Sequence, residues 1–283
     1  MKLILATRKS PLALAQANMV AELFRAKLGA ECELLKVVTT GDRQAEWSLS
    51  KQGGKGLFTA ELEQALLRGE AQAAVHSCKD LPGADTPGLV VAGFLPREDV
   101  RDVLVLRAGV GRPASIATGS PRRQLQVAKL FPQAKFTEIR GNVDTRLRKI
   151  AAGQADATIL AQAGLNRLGI KGWDGVVFRP LTVEESVPAV GQGAIAVQCR
   201  AELAGQLQPA LDAATARAVG LERALQAALA GGCQIAFGAH LAGGTLHFFH
   251  EQTGAAKFSL QAEDIQRPAV AARRILENLK LTG

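Results

Sequence analysis

Ala117-Thr118-Gly119-Ser120-Pro121 restates, far along the chain, the order of Ala6-Thr7-Arg8-Lys9-Ser10-Pro11. In each case an apolar run readable as a strand, Leu3 to Thr7 and then Ala114 to Thr118, ends beside a hydroxyl, and Ser-Pro opens a helical pattern. Serine at the N-cap and proline at the first helical position are the favoured pair for a helix start. A strand end, a hydroxyl and a helix N-terminus together make a socket for an anion, because the dipole and the free N–H groups both favour negative charge. Ser-Pro is also a common helix start, so the echo by itself admits either two related sockets or coincidence.

The flanking sequence extends the echo. After the first copy come a strand pattern at Glu33 to Thr39, a Gly-rich loop Lys51-Gln52-Gly53-Gly54-Lys55-Gly56, a helical pattern from Leu57 to Arg68 and a strand from Ala73 to Ser77. After the second come a strand at Phe136 to Ile139 and a helix at Val143 to Ala152. Such alternation is the mark of parallel sheets covered by helices, so the fold class is α/β. A Pro/Gly-punctuated stretch, Pro188-Ala189-Val190-Gly191-Gln192-Gly193, leads into an apolar strand at Ala194 to Val197. It marks a return of the chain to its first domain. The expected division is residues 1–97 with 189–212 as a first α/β domain, 98–188 as a basic second one, and 213–283 as a small α+β third. The last holds an Ala/Leu-rich helix from Ala213 to Leu229, three short strand patterns and a final helix from Pro268 to Leu279. Ligands of paired α/β domains bind in the cleft between them.

Composition excludes several classes. At 283 residues, 47% hydrophobic and 21% charged, the chain has the material for a packed core, too little charge for disorder and no apolar run of membrane-spanning length. Arg8 and Lys9 interrupt the first apolar run before it reaches signal-peptide length, and four cysteines without a Cys-x-x-Cys suit neither a disulfide framework nor a zinc site; the expected location is cytoplasmic. His240, His247 and His250 sit in one stretch, readable as a metal cluster or as solvent-facing strand residues.

The net charge of +8 is concentrated: residues 101–150 hold eleven Lys or Arg against Asp102, Glu138 and Asp144. This is a solvated basic face or the footprint of a polyanion. With 4% aromatic residues and no tyrosine, stacking platforms for bases are scarce, so a small polyanion fits better than nucleic acid. Arg122 and Arg123 fall in the first turn of their helix, where the dipole disfavours cations, which points to a bound anion there. Arg140-Gly141-Asn142-Val143-Asp144-Thr145-Arg146 again runs from strand end through glycine into a helix with an arginine on each side. Lys79 and Asp80, after Val75-His76-Ser77-Cys78, suit anchoring an anion and handling a proton or a developing cation; a turn in which Asp80 caps its own backbone is the other reading. Cys233, behind Gly231-Gly232, is placed on an approachable turn, whereas Cys32, Cys78 and Cys199 read as small buried hydrophobes.

These motifs, with Gly53-Gly54-Lys55-Gly56-Leu57-Phe58, together resemble the porphobilinogen deaminase (hydroxymethylbilane synthase) family of tetrapyrrole and heme biosynthesis along essentially the whole chain. The resemblance implies two similar periplasmic-binding-protein-like α/β domains with a cleft between them, plus the small α+β C-terminal domain. It implies a transferase that joins four porphobilinogen units head to tail, with loss of ammonia, on a dipyrromethane held by a thioether to Cys233. Hydrolysis then releases hydroxymethylbilane. It implies Asp80 as the catalytic group, stabilising the cationic azafulvene formed as ammonia leaves. Cofactor binding would fall to Lys79, Asp80, Thr118, Ser120, Arg122, Arg123, Arg140 and Asn142, Asp80 at the pyrrole nitrogens and the others at the carboxylates, and the incoming substrate to Arg8, Ser10, Arg146 and Arg167. Lys51 and Lys55 would lie on a loop over the cleft. No metal, nucleic acid or membrane is implied; a monomer is, handing its product to the next enzyme of the pathway. The chain departs from the family pattern at Gly119, Pro121, Ala230 and Ala236. Two rivals remain at this point, an anion-binding relative without catalysis and a nucleic-acid-binding protein using the basic segment.

Overall fold

The computed structural model describes residues 1–43, 57–229 and 235–281. Its strands are β1 (Lys2–Arg8), β2 (Glu31–Val37), β3 (Ala73–Ser77), β4 (Leu89–Phe94), β5 (Asp102–Arg107), β6 (Ser115–Ala117), β7 (Lys135–Thr137), β8 (Ala157–Ala161), β9 (Val176–Pro180), β10 (Ile195–Arg200), β11 (Phe237–Ala242), β12 (Thr245–His250) and β13 (Gly254–Ser259). They form two five-stranded sheets, ordered β2-β1-β3-β10-β4 and β7-β6-β8-β5-β9, and a three-stranded antiparallel sheet β11-β12-β13.

The two larger sheets share one plan. In the first, β1 runs parallel to β2 and β3 while β10 is antiparallel to β3 and β4. In the second, β6 runs parallel to β7 and β8 while β5 is antiparallel to β8 and β9. In each sheet the antiparallel strand at the fourth position is the one the chain enters from the other sheet. Two segments therefore make the crossing, residues 95–101 between β4 and β5 and residues 181–194 between β9 and β10.

Both Ser-Pro helix starts form as the sequence indicates. Ser10 Oγ accepts from Ala13 N at 3.3 Å ahead of the Pro11–Leu28 helix, and Ser120 Oγ accepts from Arg123 N at 3.4 Å ahead of Pro121–Leu130. Each serine thus caps one of the first-turn N–H groups that a helix leaves unpaired. Alternate residues of each strand face opposite ways, so both faces of these sheets are buried. Leu3, Leu5, Val75 and Val197 pack with Ala17, Val20 and Phe24 of the Pro11–Leu28 helix, while Ala6 and Ala74 meet Leu62 and Leu66 of the Ala60–Leu67 helix on the other face. In the second sheet Leu104, Ile116 and Ile159 pack on Val127, and Val103, Val105 and Leu160 on Leu147 of the Val143–Ala151 helix. The third sheet sets Ala239, Leu241, Leu246 and Phe248 against the Ala213–Ala228 and Pro268–Asn278 helices.

Among the described residues no helix is long and apolar enough to cross a membrane. The late histidines are not solvent-facing: His240 and His250 are buried, and His240 lies opposite His247 across β11 and β12 with the rings stacked at 6.3 Å. No group of three or more potential metal ligands gathers among the described residues.

Candidate active site

Side chains that follow the C-terminal ends of parallel strands collect at one place in α/β proteins, because the helix that follows each strand starts there. Here six such ends contribute. β1, β2 and β3 are followed by Arg8 to Ser10, by Asp42 and by Lys79-Asp80; β6, β7 and β8 are followed by Thr118 to Arg123, by Arg140 to Arg146 and by the Gln162–Arg167 helix.

A cleft of about 650 Å³ has Arg8, Ser10 and Asp80 from the first sheet and Arg140, Asn142 and Arg146 from the second in its wall. These six expected site residues are thus brought together. Lys79, Thr118, Ser120, Arg122, Arg123 and Arg167 are not among the residues that line the cleft. Lys51, Lys55 and Cys233 lie outside the described residues.

Asp80 closes a short 3-10 turn, Cys78–Asp80, and its side chain is exposed in the cleft with no hydrogen bond or ion pair from a described residue. It does not cap its own turn. Lys79 beside it is reached by water but walled in by protein; loss of hydration, together with repulsion from Arg123 and Arg122, brings its pKa down to about 8. Asp80 and Asp102 oppose that shift. Arg146 donates from Nε to Gly141 O at 2.8 Å, and burial with the charges of Arg123 and Arg140 lowers its pKa to about 10. Gly141 is needed at that turn: its φ is +113, and a Cβ would lie 2.7 Å from Thr145 Cγ2. Asn142 is the N-cap residue of its helix yet makes no side-chain cap bond, which leaves its amide to the cleft.

Arg8 is locked in place. Its Nη2 lies 2.5 Å from Asp42 Oδ1, its Nε 3.2 Å from the same oxygen, and the Phe58 ring sits 4.2 Å from its guanidinium carbon. Asp42 in turn accepts from Thr39 Oγ1 at 2.8 Å. Asp42 and Phe58 were not among the expected site residues, although Asp42 follows β2 as Asp80 follows β3.

Arg122 and Arg123 do not sit on a solvated basic face, and they already hold an anion of the chain itself. They are 5% and 8% exposed and bind a carboxylate of the chain itself, Asp102, at 2.9 and 2.7 Å. Arg122 also donates to Val187 O, and Arg123 to Ile159 O at 2.9 Å. Two cations share one carboxylate, so one positive charge is left over. A guanidinium has five N–H groups; Arg122 spends three, on Asp102, on Val187 O and, at 3.4 Å, on Ser186 Oγ, and Arg123 spends two on Asp102 and one on Ile159 O, which leaves two on each arginine. Both serines likewise accept a helix N–H and keep their own O–H proton to donate. Arg167 is held on Gly193 O, its Nε buried without a partner among the described residues, and burial lowers its pKa to about 10.

Three cysteines are described. Cys78 is buried, and burial pushes its pKa up to about 12; Cys199 goes up to about 11 for the same reason, and the half-buried Cys32 is also raised by burial. All three hold their protons at neutral pH and are weak nucleophiles. The donor set of lysine, arginines, hydroxyls and an amide suits several carboxylates held at once. An open carboxylate among them suits N–H groups or a developing cation.

Residues 3–207 match the family model described as "Porphobilinogen deaminase, dipyromethane cofactor binding domain". A porphobilinogen deaminase of Sulfurimonas denitrificans is 43% identical over 245 residues, spanning 84% of this chain and 78% of its own. One of Brevibacillus brevis is 44% identical over 243 residues (83% and 78%), and one of Coxiella burnetii 42% over 245 (84% and 79%). Among solved structures, the periplasmic VFT2 domain of Bordetella pertussis BvgS superposes with a TM-score of 0.43 at 19% identity, covering 74% of this chain and 86% of that one.

Proposed function

The chain belongs to the porphobilinogen deaminase family, and from that premise we propose how its cleft works. The enzyme is a transferase that joins porphobilinogen units head to tail with loss of ammonia and releases hydroxymethylbilane by hydrolysis. A dipyrromethane, held by a thioether to Cys233, supplies the pyrrole end from which the chain grows.

Asp80 is the catalytic group. Its open carboxylate stabilises the positive charge that develops on a porphobilinogen unit as ammonia departs, and accepts from pyrrole N–H groups. Each unit also brings an acetate and a propionate. Like charges about 6 Å apart repel by roughly 3 kcal/mol at an effective dielectric near 20, so the cleft needs cations in number. Lys79, Arg122, Arg123 and Arg140, with Thr118, the Ser120 hydroxyl and Asn142, take the cofactor's carboxylates. Arg8, Ser10, Arg146 and Arg167 position the incoming unit, Arg8 with its plane already set by Asp42 and Phe58.

The observation that carries this reading is an open carboxylate, Asp80, without an ion pair among the described residues, in a cleft walled by arginines from both sheets. The division into residues 1–97 with 189–212, 98–188 and 213–283 goes with it, as do a cytoplasmic location, a monomeric state and transfer of product to the next enzyme of the pathway.

Intact mass of the purified protein, with peptide mapping, tests the attachment: a dipyrromethane excess on the Cys233 peptide is expected. A thiol left unmodified after incubation with porphobilinogen or preformed tetrapyrrole would instead make the chain a non-catalytic anion-binding relative. Asp80→Asn should stay folded and lose turnover; an undiminished rate removes the role given to Asp80.

A further inference from the structure

Asp102 opens β5 directly after the first crossing segment and has no exposed surface. Five hydrogen bonds converge on its carboxylate. Oδ1 accepts from Arg123 Nε at 3.1 Å, from Arg123 Nη2 at 2.7 Å and from Gln192 Nε2 at 2.9 Å; Oδ2 accepts from Arg122 Nη2 and from Ser186 Oγ, both at 2.9 Å. Burial works against its ionisation, and the charges of Arg122 and Arg123 overcome that, so the group remains a carboxylate.

Nothing about this residue is explained by packing alone. A buried carboxylate is costly unless several donors meet it, and two guanidinium groups close together repel unless an anion lies between them. The helix dipole adds to the penalty, since both arginines occupy the first turn of Pro121–Leu130. One carboxylate answers all three difficulties and still leaves a surplus positive charge. It also fixes orientation. Arg123 presents its Nε edge to Asp102 and one Nη1 hydrogen to Ile159 O, while Arg122 is pinned between Asp102 and Val187 O. Each guanidinium is then held in one plane before any ligand arrives, which removes the ordering cost of catching a carboxylate with a flexible side chain.

We propose that Asp102 is a positioning residue of the reaction: its single carboxylate sets Arg122 and Arg123 so that their remaining N–H groups act together on the carboxylates of the dipyrromethane primer. This rests on the reading of both arginines as primer ligands. Asp102 itself touches neither primer nor substrate and acts through the arginines. Because Gln192 and Ser186 belong to the return crossing, the same carboxylate ties the primer site to the segment on which the two large sheets are joined.

The test measures primer loading, which a purely structural residue would not change among folded molecules. Asp102→Glu keeps the charge and moves it by one methylene; Asp102→Asn removes the charge. Val105→Ala, which weakens the same sheet without touching Asp102, is the stability control. Each is purified as folded protein, incubated with preformed tetrapyrrole, and read by intact mass for rate and extent of adduct at Cys233, then by KM and kcat of the loaded fraction. Both Asp102 variants should load more slowly, by up to about a hundredfold for misplaced ligand groups. KM should rise more than kcat falls, and Val105→Ala should load normally despite a lower melting temperature. Should Asp102→Asn fail to fold, Asp102→Glu alone decides. Loading at the wild-type rate with unchanged KM in whichever variant folds overturns the proposal. A wild-type protein that takes up no adduct overturns the primer-site reading itself, which is a different result.

Discussion

Glu222, with no exposed surface, holds Arg97 through two hydrogen bonds of 2.6 and 3.0 Å, and the pair joins all three sheets. Arg97 lies in the first crossing segment and donates from Nε to Gln192 O, 2.9 Å away in the second. Glu222 sits on the Ala213–Ala228 helix and accepts from Gly191 N at 2.8 Å and from Leu241 N of β11 at 2.9 Å. The third sheet is therefore fastened to the two segments that join the larger sheets, and Glu222 shares its helix with Arg223, which reaches Asp85 at 2.9 Å just beyond the Asp80 turn.

Breaking such a buried pair strands a charge away from water. Glu222→Gln is expected to cost about 3–5 kcal/mol of folding stability, against about 0–1 kcal/mol for an exposed pair such as Arg148 with Asp144. Urea unfolding of Glu222→Gln and Asp144→Asn side by side measures the difference; equal losses would mean that the Arg97 pair is not holding the crossings.

Acid should weaken the protein in two stages. His76 is buried and donates to Gln198 Oε1 at 3.1 Å, because the Gln198 amide is already committed to Glu63 at 2.9 Å. Burial lowers its pKa from 6.5 to about 4. The unfolded chain thus takes up this proton before the folded one, and stability falls as pH drops from 6.5 towards 4, by about 3 kcal/mol in all. Asp102 and Glu222 are shifted the other way: their contribution is complete above their ordinary values of 3.8 and 4.5 and is lost only as pH falls below these. Unfolding midpoints from pH 7 to 3 should show the first decline in wild type and a flatter course above pH 4.5 in His76→Gln. An identical pH profile in the two proteins would remove His76 as the cause.

Lys79 should change charge within reach of ordinary buffers. With its pKa brought to about 8 by lost hydration and the neighbouring arginines, the primer-free protein should expose a reactive amine whose labelling rate rises with a midpoint near pH 8. Carboxylates bound beside it would raise that midpoint, so the primer-loaded protein should label later. A midpoint near 10.5 in both forms would show that Lys79 does not feel Arg122 and Arg123.

How far this could be read from sequence depends on how local each signal is. The two Ser-Pro starts, the strand Ala73–Ser77 and the alternation of elements are carried by neighbouring residues, and all of them form. The strands β4, β5, β8 and β9 went unnoticed: they are short apolar runs such as Leu89–Phe94, without turn chemistry to set them apart from buried helix. Arg122 and Arg123 were legible as a pair needing an anion, but Asp102 lies about twenty residues away and meets them only because β5 takes the fourth place in its sheet. Arg8 was legible, while its partners Asp42 and Phe58 depended on contacts across a helix and a strand end. The histidines were misread because alternation in a strand does not say which face a neighbouring segment covers; Val187 and Ala236 pack on that part of the third sheet.

The motif Pro188 to Gly193 and the motif Val75 to Asp80 are in fact one structure, and that can be tested. Gly191 has a φ of +64, and a Cβ built on it would lie 2.3 Å from Cys78 Sγ, the first residue of the turn that carries Lys79 and Asp80. Cys78 N also donates to Ala194 O at 3.0 Å, so the turn cannot retreat without losing that bond. Gly191→Ala therefore meets two separate penalties, about 1–2 kcal/mol for a left-handed alanine and about 1–3 kcal/mol for the overlap. The overlap is relieved only by moving the Asp80 turn, so kcat should fall along with stability. Adding Cys78→Ala removes the sulfur but leaves the backbone strain and the approach to Cys78 Cβ, 2.9 Å from the new Cβ, and should restore part of the stability and part of kcat. If the double variant is no faster than Gly191→Ala alone, the loss comes from the crossing segment itself and not from a displaced Asp80.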